Sequence, residues 1–294
     1  MMTNKIKLSP MAFGLWRLHE ANLSDEQLKD LIVACLEQGI NTFDHADIYG
    51  GGQAQIQFGR VLAKNPELRE QMIIVSKCGI VRNPEDNSGL TPSYYNTSYD
   101  YIIKQTDLIL EQLQIEVLDV LLIHRVDHLM DYKEVARAFR DLKAVGKVKH
   151  FGVSNFLVPQ LDAIIKEFPD IEINQIQVSV DHLEHFKNGV IERCAYHDLT
   201  VMAYSPLGGG LIFSNQYDNN LLKTKLEEVK DNLSLEGIDQ VMLAWILKHP
   251  LKIVPVLGTM KQHRLMSGFK ALDIELTHRT WYELYTHSQL ERMP

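Results

Sequence analysis

The chain has 294 residues, of which 45% are hydrophobic, enough for a substantial core and close to the size of one α/β barrel, typically ~250 residues. A formal net charge of -8, with no basic stripe, argues against nucleic acid or anionic membrane as the main partner. Three cysteines, Cys35, Cys78 and Cys194, are scattered without C-x-x-C spacing, which suits a reducing compartment and suggests neither a disulfide framework nor a zinc site.

No run approaches the ~18 apolar residues of a membrane helix, and "MMTNKIKLSPMAFG" lacks the apolar stretch of a signal peptide. The expectation is a soluble, cytoplasmic protein.

Eight short apolar runs are expected as strands. In chain order they are "MAFGLW" (11–16), "NTFDHA" (41–46), "MIIVSK" (72–77), "VLDVLLIH" (117–124), "HFGVSN" (150–155), "INQIQVSV" (173–180), "TVMAYSPL" (200–207) and "KIVPVLGT" (252–259). They are continuous rather than alternating, the pattern of strands buried on both faces. Between them lie amphipathic helical stretches. Leu28, Leu31, Ile32, Cys35 and Leu36 share a face, after a Ser24-x-x-Gln27 capping pattern and before Gly39. Val135, Ala138, Phe139, Leu142 and Val145 repeat the pattern up to Gly146, and Leu161, Ile164, Ile165 and Phe168 do so after Pro159.

Strands alternating with helices imply parallel pairing through right-handed crossovers, and eight of them predict a (β/α)₈ TIM barrel. A doubly wound sheet would normally carry G-x-G-x-x-G after its first strand, and neither Gly50–Gly52 nor Gly208–Gly210 has that spacing. With no linker or shift in composition, residues 1–294 are expected to form a single domain. The stretch from about 208 to 235 is too long for a simple turn and reads as a functional loop followed by an extra helical segment.

A barrel of this kind places its active site at the C-terminal strand ends. Those ends carry Trp16, Asp44, Lys77, His124, Ser154 and Asn155, Gln177, Tyr204 and Ser205, and Thr259. Singly, Asp44 reads equally well as a helix cap, Tyr49 as a packed loop aromatic and His124 as a satisfied core histidine. Lys77 is harder to dismiss, because an ammonium at the end of a buried strand must find a partner or lose its charge. Eight polar or amphipathic ends converging on one mouth predict a site.

Taken together these residues resemble the aldo/keto reductase family over nearly the whole chain. "TFDHADIYG" is similar to its D-x-A-x-x-Y segment, "VSKCG" to its lysine strand and "LLIHR" to its histidine strand. "FGVSNF", "NQIQVS" and "AYSPLGGG" resemble its cofactor-binding strand ends. The branch most resembled is bacterial, of oxidoreductases largely without assigned substrates.

The resemblance implies reduction of an aldehyde or ketone by a nicotinamide cofactor, without a metal. Tyr49 would be the proton donor, Lys77 and Asp44 would tune it, and His124 would orient the carbonyl. Ser154, Asn155 and Gln177 would hold the carboxamide, and Tyr204 would stack on the nicotinamide. Ser205, Pro206, Leu207 and Gly209 would begin the loop over the pyrophosphate, and Trp16 would line the substrate pocket. Thr259 and Arg264 match the region that reads the adenosine 2′-phosphate, so NADP(H) is favoured over NAD(H). The departures are Gly258 where a lysine is common (with Lys261 as substitute), Gly268 for an asparagine, and Gln55 nearest to a usual glutamate.

Two other readings remain: a Schiff-base aldolase using Lys77, and a cofactor-binding regulatory module. Cys78, beside Lys77, reads as a small buried apolar residue before it reads as an oxidant sensor. A small-molecule carbonyl compound is the expected partner, with no nucleic acid or membrane, and a monomer the expected state.

Overall fold

The computed structural model describes residues 5–82 and 93–289. Eight parallel strands close into a barrel: β1 (Ala12–Gly14), β2 (Thr42–Asp44), β3 (Ile73–Cys78), β4 (Leu118–Ile123), β5 (Val148–Ser154), β6 (Ile171–Gln177), β7 (Thr200–Tyr204) and β8 (Val254–Leu257). Each pairs with its neighbours in sequence order, and β1 closes the ring by pairing Ala12 with Val256 and Phe13 with Leu257. All eight expected strands are present. The run 173–180 starts two residues earlier and stops at Gln177, because Ser179 instead bridges back to His182.

The helices are set by the expected signals. Helix Asp25–Glu37 begins with a full capping box between Ser24 and Gln27. The chain leaves it through Gly39 at φ 73°, where glycine avoids the Cβ clash of left-handed backbone. Pro159 sits in the first turn of helix Val158–Glu167, where a missing N–H costs nothing. The 208–235 stretch forms a 3₁₀ turn, Gly208–Phe213, then helix Asn220–Asn232.

The C-terminal helix His278–Gln289 is fastened by a reciprocal pair. Trp245 and Trp281 stack at 4.7 Å and 7°, and each indole N–H donates to the other's backbone carbonyl, at 3.1 and 3.0 Å.

Strand alternation divides the core in two. Outward side chains such as Phe43 and Phe151 pack under the helices, whereas Ala12, Val75, Val120, Leu122, Ile173, Met202, Val254 and Val256 fill the barrel's interior. Each fully buried aliphatic residue contributes about 1.5–3 kcal/mol. Ile6 and Leu8 pack beneath this inner layer, at the N-terminal ends of the strands. There the Ile6 amide donates to Glu172 Oε2 at 2.8 Å, and Lys5 Nζ to the Asp198 carbonyl at 2.9 Å. Among the described residues, no helix is long and apolar enough to cross a membrane.

Candidate functional site

Above that inner layer the same parity brings polar groups into the barrel. Val75 is inside, so Lys77 is too; Leu122 is inside, so His124 follows; Ile173 puts Gln175 and Gln177 inward. Ser76, of the other parity, points outward and accepts from Gln55 Nε2 at 2.6 Å. Gln55 is therefore a structural partner of β3 and stands outside the barrel mouth.

Lys77 has no solvent exposure. Its Nζ donates to both carboxylate oxygens of Asp44 at 2.8 Å, to the His45 carbonyl at 2.7 Å and to Tyr49 Oη at 3.2 Å. Burial pulls the lysine pKa down, but the charge of Asp44 and the contact with Tyr49 outweigh it, so the net shift is upward. The lysine is an ammonium. Gln175, which the sequence pattern did not single out, donates from Nε2 to Asp44 Oδ1 at 2.9 Å.

Tyr49 is placed by a tight turn. Gly50, Gly51 and Gly52 all have positive φ, and a Cβ on Gly50 would strike the His19 side chain. Burial raises the Tyr49 pKa and Lys77 only partly offsets this. The lysine's expected pull on the phenol is present, but desolvation is stronger. The ring meets His124 edge-on at 6.1 Å.

His124 is held well below the usual imidazole pKa, first by burial and then by Lys77, Arg125 and Arg82. It is neutral. Its Nδ1 is buried without a hydrogen-bond partner, so the tautomer protonated at Nε2 avoids burying an unsatisfied N–H.

A second group was not anticipated. Asp47, 8% exposed, lies between Asp44 and Tyr49, and its Oδ1 has no partner. Burial raises its pKa to about 7, against the Ile48 N–H and the charge of Lys77. His45 is wholly buried against Phe58 and is pushed down to about 3 by burial and Lys77. Cys78 is also wholly buried, and burial raises its thiol well above the ordinary value, which argues against an oxidant sensor.

Hydrogen bonds continue from the acid–lysine centre around the mouth. Ser154 Oγ donates to the Gln175 carbonyl at 2.8 Å, and Asn155 Nδ2 donates to Ser154 Oγ at 2.9 Å and to the His124 carbonyl at 3.2 Å. Tyr204 Oη donates to Asn155 Oδ1 at 2.7 Å. Asn155 and Ser205 both have positive φ, 63° and 49°. Asparagine tolerates this, whereas serine there costs on the order of 1 kcal/mol. Gln177 ends β6 half-buried at the rim.

The remaining candidates sit further round. Pro206 is buried, Leu207 is half-buried and packs on the core, and Gly209 is exposed. Thr259 Oγ1 accepts from the Lys261 amide at 3.3 Å; Arg264 is exposed on helix Gln262–Phe269. Trp16 is 51% exposed, with Arg17 over its ring at 5.5 Å. Gly268 packs against Leu257 and Leu243, so that position faces the core.

A nucleotide cofactor fits these residues. A Cβ on Gly209, Gly210 or Gly258 would enter open space, so all three leave room for close backbone approach to a ligand. Ser205, Asn155 and Gln177 add polar groups on the same half of the barrel, β5 to β8.

The sequence model of the aldo/keto reductase family matches residues 10–288. The chain is 39% identical over 290 residues to the uncharacterized oxidoreductase YcsN of Bacillus subtilis, across 98% of this chain and 97% of that protein. It is 37% identical to a 6-dehydroglucose reductase of Agrobacterium fabrum, across 97% and 96%. Among solved structures it is similar to the aldo/keto reductase from Klebsiella pneumoniae in complex with NADP and acetate, with TM-score 0.79 at 21% identity over 94% of this chain and 90% of that one. The thermostable aldo-keto reductase Tm1743, in complex with epalrestat, gives 0.81 at 24% identity over 97% and 100%.

Proposed function

Since the chain belongs to the aldo/keto reductase family, we propose that it is an NADPH-dependent reductase of aldehydes or ketones, working in the cytoplasm as a monomer. The observation that carries the reading is the wholly buried Lys77, which contacts Asp44 and the Tyr49 hydroxyl at once. A reduced nicotinamide, when bound, supplies the hydride.

The chain's own residues supply the rest. Tyr49 Oη gives its proton to the carbonyl oxygen, and Lys77 stabilises the phenolate left behind. Asp44 holds the lysine charged and in place, with Gln175 fixing the carboxylate. Neutral His124, with its proton on Nε2, donates to the carbonyl oxygen and sets its orientation. Ser154, Asn155 and Gln177 would hold the carboxamide of the nicotinamide, and Tyr204 would face its ring. Ser205, Pro206, Leu207 and Gly209 would border the pyrophosphate, Thr259 and Arg264 would meet the 2′-phosphate, and Trp16 would line the substrate side.

The Schiff-base alternative needs a neutral, free amine at Lys77. The ion pair with Asp44 and the upward pKa shift disfavour it.

The test is nicotinamide fluorescence on titrating NADPH and then NADH, with Arg264→Ala for comparison. Tight NADPH binding weakened by Arg264→Ala, with NADH unaffected, supports the reading. Tyr49→Phe should bind NADPH but lose turnover by at least ~100-fold. Absence of binding by either nucleotide would refute the reading.

A further inference from the structure

The charges at the barrel mouth are unevenly placed. Several other arginines find carboxylates, as Arg60 does with Asp25 at 2.9 Å and Arg69 with Asp119 at 2.8 Å. Arg140 instead donates to the Glu167 carbonyl at 2.6 Å, and the exposed Arg264 side chain has no such partner among the described residues. The side chains of Arg17 and Arg82, both exposed, and of Arg125, half-buried, have no carboxylate or hydrogen-bond partner among the described residues. All three follow C-terminal strand ends, those of β1, β3 and β4. These strands, with β2, form the half of the barrel that carries Asp44, Tyr49, Lys77 and His124. The cofactor candidates occupy the other half.

Arg125 is the most telling. It directly follows His124, is half-buried, and holds its guanidinium 5.9 Å from the centre of the Tyr204 ring. The nearest acid in sequence, Asp127, is already committed: Oδ2 accepts from Thr97 N and Oγ1, and Oδ1 from the Leu129 amide. Arg82 adds a second positive charge felt by His124. A half-buried guanidinium without a carboxylate beside it keeps its donors free for an incoming anion, and in a chain of net charge -8 its isolation is a local feature. The residue type matters, because a guanidinium fork matches a carboxylate or phosphate in two-pronged geometry.

We propose that the carbonyl substrate carries an anionic group, a carboxylate or a phosphate, away from its reacting carbon. Arg125 binds that group beside His124, and Arg82 adds attraction. The inference rests on the reductase reading of the site and narrows its substrate class.

The experiment compares matched probes on the full chain with NADPH: 4-carboxybenzaldehyde against benzaldehyde, and glyceraldehyde 3-phosphate against glyceraldehyde. The charged member of at least one pair should have a kcat/KM at least tenfold higher. Which pair responds identifies carboxylate or phosphate. Arg125→Gln should bring that ratio close to one, and 0.5 M salt should lower it. Direct binding of 4-(hydroxymethyl)benzoate and of benzyl alcohol to the NADP⁺-saturated protein, by calorimetry, gives a readout without turnover, with the anion at least tenfold tighter for a carboxylate site.

Equal kcat/KM within both pairs would overturn the proposal and leave the reductase reading intact. So would weaker NADPH binding in Arg125→Gln with unchanged ratios, since the guanidinium would then serve the cofactor's phosphates. If no carbonyl is reduced, equal binding of the two alcohols together with no preference for glycerol 3-phosphate over glycerol overturns it. Failure to bind NADPH at all would instead strike the reductase reading.

Discussion

Gln175 and Asp44 lie 131 residues apart on strands that do not pair, yet the Gln175 amide donates to the Asp44 carboxylate at 2.9 Å through the barrel's interior. This bond joins the acid–lysine centre to the strand that also anchors Ser154 and Asn155. Replacing Gln175 with leucine removes a charge-assisted bond from a carboxylate that water scarcely reaches. The expected loss is about 1.5–3 kcal/mol in urea unfolding, with a fall in kcat. Unchanged stability and turnover together would show that Lys77 alone positions Asp44.

The Asp44–Lys77 pair should behave as a unit. Lys77→Met leaves a buried carboxylate unmatched and should cost about 3–5 kcal/mol. Adding Asp44→Asn to that variant should recover part of the stability while leaving turnover abolished. Strict additivity of the two single changes in a double-mutant cycle would contradict the pairing.

Asp47 makes stability depend on pH with a definite sign. Its carboxyl ionises near 3.8 in the unfolded chain and at about 7 in the native one. As pH rises through that window the unfolded state has already released a proton that the native state still holds. Stability therefore falls from pH 4 to 7, and the full penalty applies above 7. Asp47→Asn should exceed wild type at pH 8 by a margin on the order of a few kcal/mol, shrinking toward pH 5. A pH-independent difference between the two proteins would rule out this role.

Gly152 faces the barrel interior, and a Cβ there would come within 2.6 Å of the Ile173 carbonyl and 2.7 Å of Leu122 Cδ2. Gly152→Ala should destabilise by about 1–3 kcal/mol, because backbone on β6 cannot move without disturbing Gln175. Thermal unfolding of the variant at the wild-type midpoint would disprove this.

The strands were legible because barrel interiors demand continuous apolar runs, and the polar residue ending each run announced the mouth. Asp44, Lys77, His124 and Tyr49 do converge as that pattern implied. Gln175 escaped because it lies inside its run, two residues below the end, where its inward direction emerges only after parity with Ile173 is fixed. Asp47 was masked by two more conspicuous neighbours. The short ribbon pairing Ile80–Val81 with Tyr94–Tyr95 depends on a contact between separated segments that no local pattern encodes; residues 83–92 of that loop lie outside the described residues. Ile6 and Leu8 are only two apolar residues among lysines, and their role depends on the barrel they close.

Among the described residues, that closure leaves the barrel a well filled from below and entered from the C-terminal strand ends. Ile6 and Leu8 below, and the inner apolar layer above them, deny water any approach to Lys77 from beneath. Under the proposed chemistry, the proton that Tyr49 spends in each cycle has to be replenished through the same doorway by which the alcohol departs. Product exit and recharging of the acid are thus successive uses of a single passage, and whatever narrows that passage slows both.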